Sequence, residues 1–359
     1  MNSEIGTLRT AYRNDKAALT ESLRSPASST RGIRTLLSKL SRLTDQHLRS
    51  LRATARLPEA VTLVAVGGYG REQLFPASDV DVLLLLPGDS TEDHALWRED
   101  LERFIGACWD AGLEIGSSVR TVAECVAEAK QDVTVQTSLL EARLIDGDAA
   151  LFAEFQKHFR ATLSPKDFFI AKTLELRQRH IKHEGTPYSL EPNCKESPGG
   201  LRDLHTILWV AQAAGLGNSW RALAASGIAT PFEAAQLERN EATLSLIRAK
   251  LHTLSGRHED RLIFDLQTTV AESFGIQSHT PAGETMPVRA SEVLMRRYYW
   301  AAKAVLQLLQ ILMLNIEEHL YPNDAPLKRI NARFYDKDGL VEVVDDQLYQ
   351  RDPQDILAT

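Results

Sequence analysis

The 359-residue chain is poor in cysteine and has no paired cysteine motif. Its three cysteines, Cys108, Cys125 and Cys194, are odd in number, lie far apart and form no CxxC pair. A disulfide framework uses cysteines in pairs, and a structural zinc site uses closely spaced ligands, so the sequence argues against both. This cysteine usage fits a reducing compartment, and we expect a cytoplasmic protein.

Long uninterrupted apolar runs are also missing. The most apolar late segment, WAAKAVLQLLQILMLNI, is interrupted by Lys303, Gln307 and Gln310. It falls short of the roughly 18 apolar residues that a membrane span needs, so we predict a buried helix there. The first residues, MNSEIGTLRTAYRNDKAALT, contain no apolar core of a secretory signal. We therefore expect no membrane partner.

An excess of positive charge is absent as well. The formal net charge is −7 and the sequence pI is about 5.9. No overall basic field would hold a phosphate backbone by counterion release, so we expect no nucleic-acid partner. The content of 43% hydrophobic and 25% charged residues is typical of a soluble globular protein, and the length predicts two domains of ordinary size.

The hydrophobic periodicity predicts an α+β protein in three parts. We expect a helical lead-in over residues 1–56, a small α/β domain over 57–150 and a helical domain over 151–359. In the α/β part, the runs VTLVAV and DVDVLLLL predict two strands, residues 92–112 predict an amphipathic helix, and Leu113–Val122 predict a third strand.

The last part is predicted to be all-helical apart from two segments. An irregular stretch runs from Glu184 to Asp203 and contains prolines and a glycine pair. Near the end, ARFYDKDGLVEVVDD predicts a β-hairpin with its turn at Asp338-Gly339, because a turn dipeptide stands between β-forming residues.

The stretch AVGGYGREQLFPASDVDVLLLLP carries the strongest chemical signal. In a strand, Asp79 and Asp81 project to the same face with about 7 Å between their Cα atoms. Two ionised carboxylates repel by up to ~4 kcal/mol at 4 Å and an effective dielectric of 20. A cation should therefore lie between them, and hard oxygen ligands favour Mg²⁺, which completes its shell with water and substrate phosphates.

One strand earlier, Gly67, Gly68 and Gly70 allow the backbone to turn sharply and to approach a phosphate closely. A glycine pair after a strand is often only a turn, and an Asp-x-Asp motif alone occurs by chance. Their conjunction, with Ser78 directly before the first aspartate, favours a site for a nucleoside triphosphate and its metal.

These motifs carry a family resemblance. GGYGREQLFPASDVDVLLL resembles nucleotidyltransferases of the polymerase-β type, and is similar to the N-terminal catalytic domain of bacterial PII uridylyltransferase/uridylyl-removing enzymes. The segments YSLEPNCKESPGGLRDLHTILWVA, EDRLIFDLQTTVAESFG and MRRYYWAAKAV resemble the helical domain that follows in that family. The resemblance covers about residues 30 to 350 and implies a nucleotidyltransferase domain over 57–150, followed by an all-helical domain.

The resemblance implies transfer of UMP from UTP to a tyrosine hydroxyl of the PII signalling protein, with release of pyrophosphate. It implies that Asp79 and Asp81 hold Mg²⁺ or Mn²⁺, that Gly67, Gly68 and Ser78 contact the nucleotide, and that Arg71 meets phosphate charge.

A third carboxylate on a later strand often completes such a site, and Glu114 in GLEIGSSVRT is the nearest candidate. A solvated surface glutamate is the alternative. The family commonly has Gly-His-Ser where this chain has Gly-Ser-Ser, so Ser117 departs from the pattern.

The irregular stretch before LRDLHTILWVA can be an interhelical loop or a second wall of the nucleotide site. A glycine-rich turn that leads into a helix offers backbone donors to an anion. The resemblance favours the second interpretation and implies that the triphosphate or its metal is faced by Lys195, Gly199, Gly200, Arg202 and Asp203. For Asp203, a role as metal ligand and a role as arginine partner are both open.

The resembled family continues into HD and ACT domains, which we expect to be absent here, since the sequence contains no His-Asp dipeptide. We accordingly expect no uridylyl-removing activity from this chain. Two other functions stay open: an adenylyltransferase of related fold with another protein acceptor, and a regulatory module that binds a nucleotide without turnover.

Overall fold

The computed structural model describes residues 2–26, 28–88, 91–280, 286–322, 326–337, 340–345 and 348–351. The chain divides into two compact units, Met1–Ile316 and Glu317–Thr359. The helices up to the unit boundary are α1 (Asn2–Thr20), α2 (Thr30–Ala55), α3 (Gly67–Gly70), α4 (Thr91–Asp110), α5 (Val122–Ala129), α6 (Val133–Leu140), α7 (Ala149–Thr162), α8 (Pro165–Lys182), α9 (Leu201–Ala213), α10 (Trp220–Ala225), α11 (Pro231–Ser255), α12 (Phe264–Ser273) and α13 (Ala290–Leu320). A 3₁₀ turn, Glu21–Arg24, follows α1.

A small mixed sheet forms the centre of the first unit. Its strands are β1 (Thr62–Ala65), β2 (Val80–Leu86), β3 (Ile115–Thr121) and β4 (Arg143–Asp146), in the order β3-β2-β1-β4. β2 runs antiparallel to β1 and parallel to β3, while β4 pairs antiparallel with β1. The predicted α+β class is confirmed. β4 was not among the predicted strands, because four residues are too few to display an alternating pattern.

Both faces of the sheet are covered, which explains the continuous apolar sequences of β1 and β2. Leu63, Val82 and Leu84 belong to a core on the side of α1, α2 and α4. Val64, Leu83 and the neighbouring positions of the same parity belong to a second core with residues of α5, α6 and α7. The alternation of the strand therefore decides which layer each side chain enters.

Local signals in the sequence fix the ends of several helices. The side chain of Thr121 accepts the backbone N–H of Glu124, and Glu124 in turn accepts from the Thr121 N–H, so a capping box starts α5 directly after β3. Thr230 and Glu233 form the same device at the start of α11, with a proline at the first helical position.

The predicted buried helix near the end is α13. By length and composition alone, one 18-residue window of α13 is apolar enough to cross a membrane, a test that core helices of soluble proteins also pass. Leu294, Tyr298, Val305 and Leu312 are completely buried within the protein. The three cysteines are buried free thiols.

The second unit contains a three-stranded antiparallel sheet and a short helix. Its strands are β5 (Lys328–Arg329), β6 (Phe334–Lys337) and β7 (Leu340–Val343), in the order β5-β6-β7, and α14 spans Leu348–Arg351. The predicted turn at Asp338-Gly339 lies outside the described residues.

Candidate active site

Two carboxylates stand at the start of β2. Asp79 and Asp81 have the same strand parity as Leu83 and Leu85, which are buried under the helices on that side. The two aspartates lie before the covered part of the strand and are exposed in a cavity. Among the described residues, neither carboxylate has a hydrogen-bond or ion-pair partner.

The electrostatics of this pair are unfavourable without a cation. Desolvation in the cavity and the neighbouring charge of Asp79 raise the pKa of Asp81 above its ordinary value, and Lys195 acts in the opposite direction. The repulsion expected from the Asp-x-Asp spacing is thus present in the folded chain.

The glycine-rich segment forms the short helical turn α3 between β1 and the aspartate strand. Val66 donates its N–H to the Asp81 carbonyl at 3.1 Å, which ties the entrance of α3 to β2. Gly67 has a positive φ of 58°, and a Cβ added there would lie 3.6 Å from Asp81 Oδ2. The backbone therefore passes directly beside the carboxylate, and the first amides of the turn have no intrahelical acceptor.

The remaining side chain of this turn anchors it to the lead-in helix. Tyr69 is 1% exposed and donates its hydroxyl to Asp45 Oδ1 of α2 at 2.5 Å. Arg143 of β4 binds both oxygens of Asp45 at 2.7 and 3.0 Å. The position of the glycine turn is thus set from α2 as well as from the sheet.

Helices α8, α9 and α11 and the irregular stretch form the opposite wall of the cavity. The cavity has a volume of about 330 Å³. Its lining consists of Gly67, Gly68, Tyr69, Arg71, Gln73, Leu74, Phe75, Ser78, Asp79, Asp81, Thr134, Thr137, Ser138, Glu141, Lys172, Glu175, Lys195, Glu196, Arg202, His205, Trp209, Arg248 and His258. The two segments singled out in the sequence, more than a hundred residues apart, therefore meet in one cavity.

The cations of this wall surround one indole ring. The ring of Trp209 is contacted by Lys172 at 4.5 Å, by Arg202 at 5.3 Å and by Arg71 at 5.7 Å. Trp209 is 2% exposed, so it combines a position in the core with a role in holding charged groups around the cavity.

Positive charge dominates the environment of Lys195 and Glu196, two half-buried residues of the cavity wall. Burial, followed by the charges of Arg202 and Arg248, lowers the pKa of Lys195. Burial alone would raise the pKa of Glu196, but Arg202 and Lys195 reverse this and hold it below its ordinary value. An anion that enters the cavity would relieve this crowding of cations.

Arg71 is held by a buried acid. It forms an ion pair with Glu141, whose side chain is 2% exposed, and the same carboxylate accepts the indole N–H of Trp209. His205 lies 3.4 Å from Arg71, and its pKa is well below the ordinary value because it is buried among cations. His205 therefore stays neutral beside the guanidinium.

Asp260 connects the segment that precedes Asp79 to the segment that carries Lys195. Arg248 binds it at 2.6 and 3.1 Å, His252 donates Nε2–H to it at 2.8 Å, and its carbonyl accepts the Cys194 N–H at 2.7 Å. His252 Nδ1 in turn accepts the Ala77 N–H at 3.3 Å, which fixes the tautomer of the ring.

His252, His258 and Asp260 are close enough to bind a metal ion, but both ring nitrogens of His252 are already engaged.

Three of the predicted residues of the irregular stretch do not line the cavity. Asp203 is completely buried, forms an ion pair with Arg179, binds His180 at 2.9 Å and accepts the Gly199 N–H at 2.7 Å. In this structure Asp203 therefore pairs with an arginine and does not line the cavity. Gly199 and Gly200 are buried in the loop, where a Cβ at Gly199 would lie 2.1 Å from the Ala302 carbonyl. These three residues shape the loop that presents Lys195 and Arg202.

Glu114 is also outside the cavity. The register places Asp81 opposite Gly116, and Glu114 occupies a tight turn in which the Ile115 N–H donates to the Leu113 carbonyl at 3.1 Å. Glu114 is exposed, and its charge acts on Lys16 of α1. The structure therefore corresponds to the surface alternative. Ser117 is exposed on β3 and does not line the cavity either.

Several cavity residues carry no motif in the sequence. Lys172 is 2% exposed and has Phe168 and Leu176 four residues away on each side, so it occupies the buried face of α8. Arg248 is placed in the same way, four residues after the buried Leu244 on α11. A charged residue at an apolar-face position is the signal that could have identified both. Glu141, Thr134 and Ser138 give no such signal.

The donor set fits a divalent metal ion. Asp79 and Asp81 supply hard carboxylate oxygens that no described residue neutralises, and the backbone of Gly67 leaves room beside them. These two carboxylates are the residues that would hold the ion.

The fold and the cavity are those expected of a nucleotidyltransferase domain, and two family models match the chain. Residues 48–138 match the family model for the nucleotidyltransferase domain, and residues 167–313 match the model described as GlnD PII-uridylyltransferase. The resemblance noted in the sequence is confirmed.

Curated relatives extend this match over most of the chain. A bifunctional uridylyltransferase/uridylyl-removing enzyme of Cupriavidus metallidurans is 56% identical over 325 residues, which are 90% of this chain and 37% of the relative. Proteins of the same description from Burkholderia lata and Ralstonia nicotianae are 53% and 54% identical over 97% and 90% of this chain, and 39% and 37% of their own lengths. The chain thus spans well under half the length of these relatives.

Proposed function

We propose that this chain transfers UMP from UTP to a tyrosine hydroxyl of a PII signalling protein. The tyrosine oxygen forms a bond to the α-phosphorus, the bond from that phosphorus to the bridging oxygen breaks, and pyrophosphate leaves with the electron pair. The hydroxyl proton passes to water. The match to the PII-uridylyltransferase model and the description of the relatives support the nucleotide and the acceptor.

A single observation carries the proposal. The cavity combines two carboxylates that have no partner among the described residues with Arg71, Lys195 and Arg202. A triphosphate with its metal supplies positive charge to the first group and negative charge to the second. A ligand without charged groups satisfies neither of the two groups.

The residues of the chain have separate tasks in this proposal. Asp79 and Asp81 hold Mg²⁺ or Mn²⁺, which when bound neutralises phosphate charge and orients the reacting oxygens. Gly67 and Gly68 offer backbone N–H groups to the phosphates, and Ser78 lies beside them. Lys195, Arg71 and Arg202 neutralise the departing pyrophosphate, which makes positioning and electrostatics the main contribution of the protein.

We place the reaction in the cytoplasm, with UTP and a PII protein as partners and with neither nucleic acid nor membrane. We also propose that these 359 residues by themselves do not remove UMP from modified PII, because the sequence lacks the His-Asp dipeptide of the HD domain.

A labelled-nucleotide assay tests the proposal. We expect the chain, incubated with Mg²⁺, PII protein and UTP labelled at the α-phosphate, to place the label on a PII tyrosine and to release one pyrophosphate per label. EDTA should abolish both signals. Label on another acceptor, or none on PII, would contradict the proposal.

Competition between nucleotides separates the two other candidate functions. Tighter Mg²⁺-dependent binding of ATP than of UTP would favour an adenylyltransferase. UTP binding without pyrophosphate release in the presence of PII would favour a regulatory module.

A further inference from the structure

A groove lies between α2 and α11, next to the proposed active site. Its volume is about 720 Å³, compared with about 330 Å³ for the nucleotide cavity. The apolar side chains Ile33, Leu37 and Ala242 line it, together with charged side chains of both helices. The groove is therefore large enough for more than a single small anion.

The charged lining is predominantly basic although the whole chain has a net charge of −7. The lining holds three acids, Glu72, Glu238 and Glu241, against six cations, which are Arg31, Arg34, Lys39, Arg42, Arg71 and Arg239. Three of the cations are paired: Arg34 with Glu238 at 4.0 Å, Arg42 with Glu72 at 3.8 Å, and Arg71 with Glu141 of the nucleotide cavity.

Three cations of the groove stay uncompensated. Within the described part of the chain, Arg31, Lys39 and Arg239 have no ion-pair partner, and all three are exposed. Their charge is available to an incoming ligand. Because the groove is open to water, this charge would act by steering a negatively charged ligand toward the groove and by matching the ligand's charge pattern.

The spread of the cations along α2 indicates the shape of the ligand. Arg31 and Arg42 are eleven residues apart on one helix, a distance of about 16 Å at 1.5 Å per residue. One phosphate group cannot reach both ends. An extended peptide of about five residues covers this distance and can present several carboxylates along it.

The groove leads to the reaction centre. Arg71 and Gln73 line both the groove and the nucleotide cavity. Gln73 donates its side-chain N–H to Glu241 at 3.2 Å, and Glu241 also accepts the indole N–H of Trp220 at 2.8 Å, so this boundary is fixed. A segment bound in the groove would have one end beside Arg71, at the entrance of the cavity.

We propose that the groove between α2 and α11 binds an acidic, extended segment of the protein acceptor and directs its reactive hydroxyl toward the nucleotide. The assignment of the acceptor rests on the proposed function, whereas the preference for an acidic extended chain rests on the groove alone.

Charge reversal on the groove tests this proposal. We expect Arg31→Glu/Lys39→Glu to bind a fluorescein-labelled oligo-glutamate peptide at least about tenfold more weakly than the unmodified chain in fluorescence anisotropy at low salt. The same variant should raise the KM for PII by a similar factor and leave the dissociation constant for UTP with Mg²⁺ unchanged. Arg98→Glu, an exposed arginine of α4 that lines neither cavity, serves as the matched control and should change none of these values.

The outcomes separate this proposal from the proposed function. Unchanged peptide binding and an unchanged KM for PII would overturn the groove proposal even if transfer proceeds normally. Inorganic triphosphate that binds the groove, in place of the peptide, would also overturn it and indicate a small-anion site. If the unmodified chain transfers no UMP to PII, the proposed function fails, and the peptide measurement still decides the groove.

Discussion

At the scale of single residues, the two aspartates have a chemical task that conflicts with stability. Asp79 and Asp81 lie on one face of β2 without a partner among the described residues. Because burial and Asp79 raise the pKa of Asp81, its charged form is disfavoured in the folded chain. A metal ion would remove this conflict, as expected of a site shaped for a ligand.

We predict that Asp79→Asn and Asp81→Asn each reduce UMP transfer at least about 100-fold while the fold is retained. In EDTA, Asp81→Asn should unfold at a higher temperature than the unmodified chain at neutral pH. A carboxyl group whose pKa is raised by folding contributes its full stabilisation at a pH below its ordinary pKa of 3.8. This stabilisation is lost as the pH rises through the higher pKa that Asp81 has in the folded chain. The advantage of the variant should therefore grow from pH 4 to pH 7 in thermal unfolding.

Near-normal turnover by either variant would refute the metal site. An equal unfolding temperature for the Asp81→Asn variant across this pH range would show that the charge is compensated in solution.

At the scale of elements, the strands and the active-site loops were predictable to different degrees. The β-branched apolar runs VTLVAV and DVDVLLLL predict β1 and β2, and the glycine turn and Asp79 follow from their place between two strands. The meeting of this turn with Lys195 and Arg202 was implied only by the resemblance, since local patterns carry no information on distant contacts. For Glu114, the alternation alone cannot predict the tight turn that moves it out of the site.

The Asp260 carboxylate joins elements that are distant in the sequence. We predict that Asp260→Asn lowers the free energy of unfolding by about 3 kcal/mol, because Arg248 would be left buried without a countercharge. Arg248 and His252 outweigh burial and hold the pKa of Asp260 below its ordinary value of 3.8, so its contribution should be complete at pH 7 and decline only in acid.

Urea unfolding at several pH values measures this effect. Glu259→Gln, at the neighbouring acid that pairs with Arg257, is the matched control and should cost less than about 1 kcal/mol. A loss of the same size in both variants would contradict the connecting role of Asp260.

The loop of Gly199 depends on close contact with α13. Gly199 and Gly185 both have positive φ, 79° and 64°, but only Gly199 faces another backbone, with Ala302 O at 2.1 Å from an added Cβ. We predict that Gly185→Ala costs about 1–2 kcal/mol for its backbone conformation alone. Gly199→Ala should cost about 1–3 kcal/mol more for the clash.

Chemical unfolding of the two variants separates these contributions. Equal costs would mean that α13 moves away freely. In that case Lys195 and Arg202 would not depend on this contact for their positions.

At the scale of the whole molecule, the lead-in helices, the sheet and the helices up to Ile316 form one compact unit. The nucleotide cavity draws its walls from all of these parts: α2 fixes the glycine turn through Asp45, the sheet carries the aspartates, and α9 and α11 supply Arg202 and Arg248. A ligand in this cavity contacts residues from both halves of the unit and should stabilise them together.

We therefore predict a single unfolding transition for this unit that moves to higher temperature with UTP and Mg²⁺, equivalent to about 2.7 kcal/mol at a ligand concentration of 100 times the dissociation constant. Near-ultraviolet circular dichroism and tryptophan fluorescence should report the same midpoint, because Trp209 lies between the cations of the cavity. Mg²⁺ alone should give a smaller shift, and Asp81→Asn should abolish the extra shift caused by UTP. Two separated transitions, of which UTP moves only the later one, would mean that the sheet and the helices fold independently and that the cavity does not unite them.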